Sequence, residues 1–262
     1  MGILNKLQVE AAKMKGNSYS FSYSCEELKY KSFLTGFNNK IFSLFNNYYE
    51  EINIPHSVQN LFKGKVVNHT ENQAALHHIY RDLYSSAPNN FASNDMVESC
   101  RLSIEKCIDL KKELINKGIK NVVTIGIGGS FEGPKLLIKA LTSEQKRNFK
   151  HIFLTGPDII EFKETVEPLN QKETFFIVSS KSFSTEETLQ SLNLSKSWLG
   201  FNCMFEDHFV AITSNPDEAR NYGFNDNIIE FPSEIGGRYS IWSPISLPAI
   251  LELGEGFKDF LL

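Results

Sequence analysis

The chain has 262 residues, of which 41% are hydrophobic and 22% charged, and its formal net charge is −4. That length buries one large core or two modest ones. An acidic pI near 5.9 argues against a dedicated nucleic-acid binder, whose domains are usually basic.

No apolar run approaches the length of a membrane-spanning helix. The start, Met1-Gly-Ile-Leu-Asn-Lys6, lacks the apolar core of a signal peptide. Gly2 does not open a myristoylation site, because Lys6 stands where Ser or Thr is needed. Cys25, Cys100, Cys107 and Cys203 show no metal or redox spacing and read as small core residues in a reducing compartment. The adjacent pair His77-His78 suggests no ligand set, since neighbours on an element point apart. These features point to a cytoplasmic protein without a disulfide or zinc site.

Residues 1–90 are rich in aromatics and Asn, with helical patterns at Cys25–Leu34 and Ala74–Tyr84. The turn cluster Ser85-Ser-Ala-Pro-Asn-Asn90 marks a boundary between a helical N-terminal region, 1–90, and a second domain, 91–250. Met96–Lys117 predicts one long amphipathic helix whose apolar stripe runs from Val97 through Cys100, Leu102, Ile104, Cys107, Ile108, Leu110 and Leu114 to Ile115. Gly118 ends it.

The rhythm then changes. β-Branched runs at 121–127, 151–155, 174–179, 208–213 and, more weakly, 227–231 alternate with helical patterns at 134–141, 159–166, 186–199 and 216–222. This alternation predicts an α/β fold, a parallel sheet with helices on both faces. Ligands of such sheets bind beyond the carboxyl ends of the strands.

Three motifs fall at those ends. Gly126-Ile-Gly-Gly-Ser130 ends the first strand, where glycines let backbone approach a ligand and present amides to an oxyanion. It is not a dinucleotide fingerprint, which needs glycine at Phe131, nor a Walker A loop, which needs lysine at Pro134. A plain strand-to-helix turn with Pro134 at the first helical position accounts for it equally well. Ser179-Ser-Lys-Ser-Phe-Ser-Thr-Glu-Glu-Thr188 follows the third strand and sets hydroxyls around Lys181 at a helix start, a combination suited to phosphate. Ser184 with Glu187 fits a capping box, which explains those two but not Ser180, Lys181 and Ser182. Ser233-Glu-Ile-Gly-Gly-Arg-Tyr-Ser-Ile-Trp-Ser243 aims Arg238 from a glycine bend. Its fork of donors suits a phosphate, a carboxylate or developing enediolate charge. A structural arginine paired with a carboxylate is the bland alternative. Tyr239, Ile241, Trp242 and Ile245 read as core.

In order and spacing these motifs resemble the glucose-6-phosphate isomerase family. Ile125–Ser130 resembles its glycine-rich segment, Ser180–Thr188 its Ser-Lys-Thr-Phe-Thr-Thr loop, and Ser233–Ser246 its Gly-Gly-Arg-Tyr-Ser-x-Trp-Ser signature. Asn68–His77 resembles its Asn-x-Thr-Glu-x-Arg-Ala-x-Leu-His segment, with Gln73 in place of the usual arginine.

The resemblance implies a sugar-isomerase domain, an αβα sandwich with a flavodoxin-like parallel sheet, after a mainly helical N-terminal region. It implies aldose–ketose interconversion of glucose 6-phosphate and fructose 6-phosphate through a cis-enediolate, without metal or cofactor. Ser180, Lys181, Ser182 and Thr185 would bind phosphate, Gly129 and Ser130 would line the sugar site, and Arg238 would stabilise the enediolate. The full-length enzyme would be a homodimer. The family's catalytic glutamate, ring-opening histidine and late lysine lie downstream of the arginine motif and have no counterpart here. The chain is therefore expected to be an N-terminal portion, inactive alone, with 251–262 starting a following segment and the apolar tail from Ser246 to Leu262 finding nothing to pack on. The rival expectation is a non-catalytic sugar-phosphate sensor.

Overall fold

The structure, a computed structural model, describes residues 2–12, 18–25, 28–35, 39–85, 92–200 and 204–262. It divides into two compact units, Met1–Asn60 and Leu61–Leu262. The turn cluster at which the sequence places a boundary lies largely outside the described residues.

In the first unit, helix α1 (Ile3–Ala12) is followed by an antiparallel hairpin of β1 (Ser18–Cys25) and β2 (Leu28–Thr35) and by helix α2 (Asn39–Glu51). Leu7 of α1 and Ile41 of α2 are buried, and Lys40 pairs with Glu10 at 2.8 Å. The helix expected over Cys25–Leu34 is thus replaced by strand. The reason is visible in Ser18-Tyr-Ser-Phe-Ser-Tyr-Ser-Cys25, whose strict alternation has the period of a strand, and the hairpin partner follows it. Helix α3 (Ile54–Phe62) crosses into the second unit.

The second unit begins with α4 (His78–Asp82), shorter than the pattern over Ala74–Tyr84 predicts, and α5 (Asn94–Asn116). The Ser93 hydroxyl caps α5 by accepting from the Met96 amide, and Gly118 at φ +72° ends it. Its buried stripe is Cys100, Ser103, Ile104, Cys107, Ile108 and Leu114, while Leu102 and Ile115 face out.

Then come β3 (Asn121–Ile125), α6 (Gly129–Leu141), β4 (Lys150–Leu154), α7 (Ile159–Thr165), β5 (Thr174–Ser179), α8 (Glu186–Leu199), α9 (Phe205–His208), β6 (Phe209–Thr213), α10 (Pro216–Asn221) and β7 (Ile228–Glu230). The strands form one parallel sheet in the order β4-β3-β5-β6-β7. This is the flavodoxin-like order, and its reversal between β3 and β5 opens a crevice at their carboxyl ends. Alternate strand residues serve two cores. Val122, Phe175, Ile177, Val210 and Ile212 face one, and Val123, Ile125, Phe176, Val178 and Ala211 face the other. Each fully buried Phe, Ile or Val contributes about 1.5–3 kcal/mol.

Helices α11 (Leu247–Leu253) and α12 (Phe257–Leu261) complete the first core. The expectation that this segment finds nothing to pack on is not met. α11 lies on α5 and α6, and Leu247, Ala249, Ile250, Leu251, Phe257 and Leu261 are all fully buried. Among the described residues no helix is long and apolar enough to cross a membrane.

A buried carboxylate anchors α11. Glu252 accepts the amides of Asn148 (2.7 Å) and Phe149 (3.1 Å), the Asn148 side chain (3.2 Å) and His151 Nε2–H (2.7 Å). Burial works to raise its pKa, but His151 and the two amides outweigh this and hold the carboxyl below its usual 4.5. A depressed folded pKa gives stability that is present above the unfolded value and lost as pH falls through the folded one. Glu252→Gln is therefore expected to cost about 2 kcal/mol at pH 7, a drop of roughly 4–8 °C in melting temperature. The gap from wild type should narrow as the melting series is carried below pH 4.5.

Candidate active site

The glycine turn after β3 begins a helix earlier than the sequence suggests. Gly128 takes φ +57°, ψ −119°, a conformation open only to glycine, and α6 starts at Gly129. Pro134 therefore lies inside the helix rather than at its first position. The bend of 236–238 rests against this helix start. A Cβ added at Gly129 would stand 1.8 Å from the Gly237 carbonyl oxygen, and one added at Gly133 would stand 2.4 Å from Ile241 Cγ2. The glycines let two backbones meet.

The Ser-Lys loop after β5 is fixed from β6. The Ser180 amide donates to the Ile212 carbonyl at 3.1 Å. The Lys181 carbonyl accepts from the Ser214 amide (3.1 Å), Thr213 Oγ1 (2.9 Å) and Ser214 Oγ (3.0 Å). Phe183, fully buried at φ +54°, pegs the middle of the loop into the second core against Tyr222 and Phe224.

The capping box is not formed. Thr185 is the N-cap of α8 and makes no side-chain cap bond, and Ser184 Oγ turns instead to Ser182 Oγ at 2.8 Å. Thr185 Oγ1 lies 3.2 Å from Ser180 Oγ. Among the described residues no side chain closes the first-turn amides of α8, which are the donors an oxyanion would use. Glu186 and Glu187 are exposed and stand outside the cleft.

These elements enclose a cleft of about 630 Å³ at the switch point. Gly129, Ser130, Ser180, Lys181, Ser182 and Thr185 all line it. Arg238 does not, although its neighbour Gly237 does. The Arg238 side chain is exposed and makes no hydrogen bond or ion pair among the described residues, so the structural pairing weighed as an alternative is not formed. Tyr239, placed in the core by its pattern, is 76% exposed, because φ +63° turns it outward. Ile245 is buried, and Ile241 and Trp242 pack against the first core.

Several lining residues, among them Ser179, Ser214, Asn215 and Glu71, were not legible as site residues. Ser214 and Asn215 follow β6, a strand end with no glycine or lysine to signal it. Ser179 is 1% exposed, and its hydroxyl has no hydrogen-bond partner among the described residues. Glu71 comes from the Asn68–His77 segment. It holds Lys181 Nζ at 2.5 Å and accepts from Gln73 Nε2 at 2.6 Å. The bond from Lys181 holds the Glu71 carboxyl below its usual range, against opposing desolvation, with the Lys181 charge, Asn68 and, least, Arg238 adding to the pull. Gln73, where an arginine was expected, also donates to the Ser233 carbonyl at 2.9 Å.

The family model described as phosphoglucose isomerase matches residues 34–262. Glucose-6-phosphate isomerase of Pseudoalteromonas atlantica is 35% identical over 215 residues, 77% of this chain and 39% of the relative. That of Hahella chejuensis is 34% identical over 226 residues, 81% of this chain and 40% of the relative. The chain thus spans about 40% of the length of these curated relatives. A glucose-6-phosphate isomerase crystal structure from Chlamydia trachomatis superposes over 100% of this chain and 54% of its own, with a TM-score of 0.84 at 20% identity. The fold is therefore shared with a solved structure of that description, and the matched span and the identities with the curated relatives establish that the chain belongs to the phosphoglucose isomerase family.

Proposed function

We propose that these residues form the phosphate-holding and charge-stabilising part of a glucose-6-phosphate isomerase active site. The observation that carries the reading is the convergence, at one switch-point cleft, of Lys181, the hydroxyls of Ser180, Ser182 and Thr185, and the uncapped start of α8. A cation, neutral donors and a helix N-terminus together favour a phosphate dianion. Gly129 and Ser130 line the wall opposite, where the sugar of glucose 6-phosphate or fructose 6-phosphate would lie. Arg238, exposed beside that wall and without a partner among the described residues, is suited to the negative charge of a cis-enediolate, which exists only in transit. The family resemblance implies that the proton-moving residues lie downstream of the arginine motif. We accordingly expect the isolated chain to bind without turnover, and the whole enzyme to act as a cytoplasmic homodimer.

Calorimetric titration with fructose 6-phosphate tests the reading. The wild-type chain should bind saturably, and Lys181→Ala should weaken binding by tenfold or more, the loss of one charge-assisted contact. Glu71→Gln should act oppositely. The Lys181–Glu71 pair is partly exposed, so its release should tighten binding only about two- to fivefold. Lys181→Ala binding as well as wild type, or steady conversion to glucose 6-phosphate by the pure 262-residue chain, would refute the assignment.

A further inference from the structure

The segment Asn68–His77 touches both loops of the cleft. At one end Glu71 holds Lys181 of the phosphate loop. Beyond it the chain runs along the arginine loop and is stitched to it three times. Gln73 Nε2 donates to the Ser233 carbonyl (2.9 Å), the Leu76 amide to the Glu234 carbonyl (3.2 Å), and the Gly236 amide to His77 Nε2 (2.9 Å). The last stitch is the one next to the bend. Gly236 precedes Gly237, whose carbonyl abuts Gly129, and then comes Arg238. The ring lies flush against this backbone, since a Cβ at Gly236 would stand 3.3 Å from His77 Nε2.

We propose that His77 is a positioning residue for Arg238: its neutral imidazole, by accepting the Gly236 amide proton, fixes the bend that aims the guanidinium at a sugar phosphate in the cleft. The inference rests on the function proposed above and names a residue to which neither the sequence motifs nor that reading gave a role.

The chemistry of the ring supports it. An Nε2 that accepts carries no proton, so the proton of the neutral ring sits on Nδ1. Burial pushes the His77 pKa below its usual 6.5, with Lys181 adding to this and the backbone of Gly236 and Arg238 and the charge of Glu71 opposing it. The other charged or titratable neighbours are His78, next in the chain, and Arg81, which lines the same small hollow with Tyr239 and Trp242. Protonation of Nε2 would set two N–H groups against each other. The ring would then have to donate to the Gly236 carbonyl, 3.2 Å away, in place of holding the amide. Acid therefore exchanges which peptide group is held and moves the bend.

The test uses the 262-residue protein, with fructose 6-phosphate and inorganic phosphate as separate probes. At neutral pH, nitrogen-15 spectra of the imidazole should show Nε2 unprotonated, and the Gly236 amide should exchange slowly. His77→Ala should weaken fructose 6-phosphate binding about tenfold, the effect of one orphaned buried donor at the site. It should leave inorganic phosphate, held at Lys181, within about twofold. His77→Gln, whose Oε1 reaches the position of Nε2, should restore most of the loss. Below pH 6.5 the wild type should lose fructose 6-phosphate affinity, and His77→Gln should not follow that profile. A protonated Nε2 at neutral pH overturns the proposal, as does His77→Ala weakening both ligands alike or neither. If the wild type binds no fructose 6-phosphate, the functional reading fails instead. Gly236 exchange, wild type against His77→Ala, then decides the positioning claim alone.

Discussion

Gly129→Ala should abolish measurable fructose 6-phosphate binding and lower the melting temperature by roughly 6–12 °C, equivalent to about 3 kcal/mol of overpacking. The added Cβ would meet the Gly237 carbonyl oxygen at 1.8 Å and the carbonyl carbon at 2.6 Å. Both are backbone atoms, so no side-chain rotation relieves the clash. Either the first turn of α6 must shift or the bend carrying Arg238 must move away, and both walls belong to the cleft. Gly237→Ala is the control. It sits across the same contact, but a Cβ there meets nothing within 4 Å, and its φ is not positive. Its melting temperature should stay close to wild type, the behaviour of a substitution that touches nothing. Equal destabilisation by the two would show that the bend does not rest on Gly129.

Much of this architecture was written in the sequence, for local reasons. The strands β3, β5 and β6 are short β-branched runs that serve a core on each face, and such runs need no partner to be recognised. The Ser-Lys loop and the glycine turn were legible because few other residue types give those backbones or that donor set. The failures share a different cause. Ser184 and Glu187 have the spacing of a capping box, yet Ser182 competes for the Ser184 hydroxyl, and nothing in the spacing reveals a competitor two residues away. Pro134 reads as a helix start because a proline inside a helix forfeits a hydrogen bond. Here the close contact of Gly129 with Gly237 sets the start instead, a constraint arising 108 positions downstream. The apolar run from Leu247 reads as unsupported for the same reason, since its support, α5 and α6, is remote in sequence. Glu71 and His77 belong to this class too. Each acts on a loop more than a hundred residues away, and the Asn68–His77 motif that contains them does not say which loop each would hold.

Phe183→Ala is expected to be among the most damaging substitutions in the phosphate loop although Phe183 does not line the cleft. Its ring is fully buried, with Phe224 edge-on at 5.4 Å and Tyr222 tilted at 6.0 Å. Removing a buried phenyl costs about 3–5 kcal/mol, a fall of roughly 6–20 °C in melting temperature. Stability is only half of the expectation. Phe183 stands between Ser182 and Ser184 at φ +54°, a left-handed conformation that bulky residues avoid unless their surroundings impose it. Burial of the ring is what imposes it here. With alanine the anchor is lost while the unfavourable backbone remains, so the loop should relax toward ordinary dihedrals and carry Lys181 and Ser182 out of register. Phosphate affinity should then fall by about tenfold or more, as for loss of a charge-assisted contact. Phe224→Ala separates the two effects. Phe224 is equally buried and packs on Phe183, Phe205 and Phe209, but it lies outside the loop. It should lower the melting temperature to a similar degree and leave phosphate binding within about twofold at temperatures where both variants are folded. Equal loss of binding in the two variants would place control of the loop in the core as a whole. Loss confined to Phe183→Ala would mean that one aromatic peg, by holding a strained backbone in place, keeps the lysine where a phosphate can meet it.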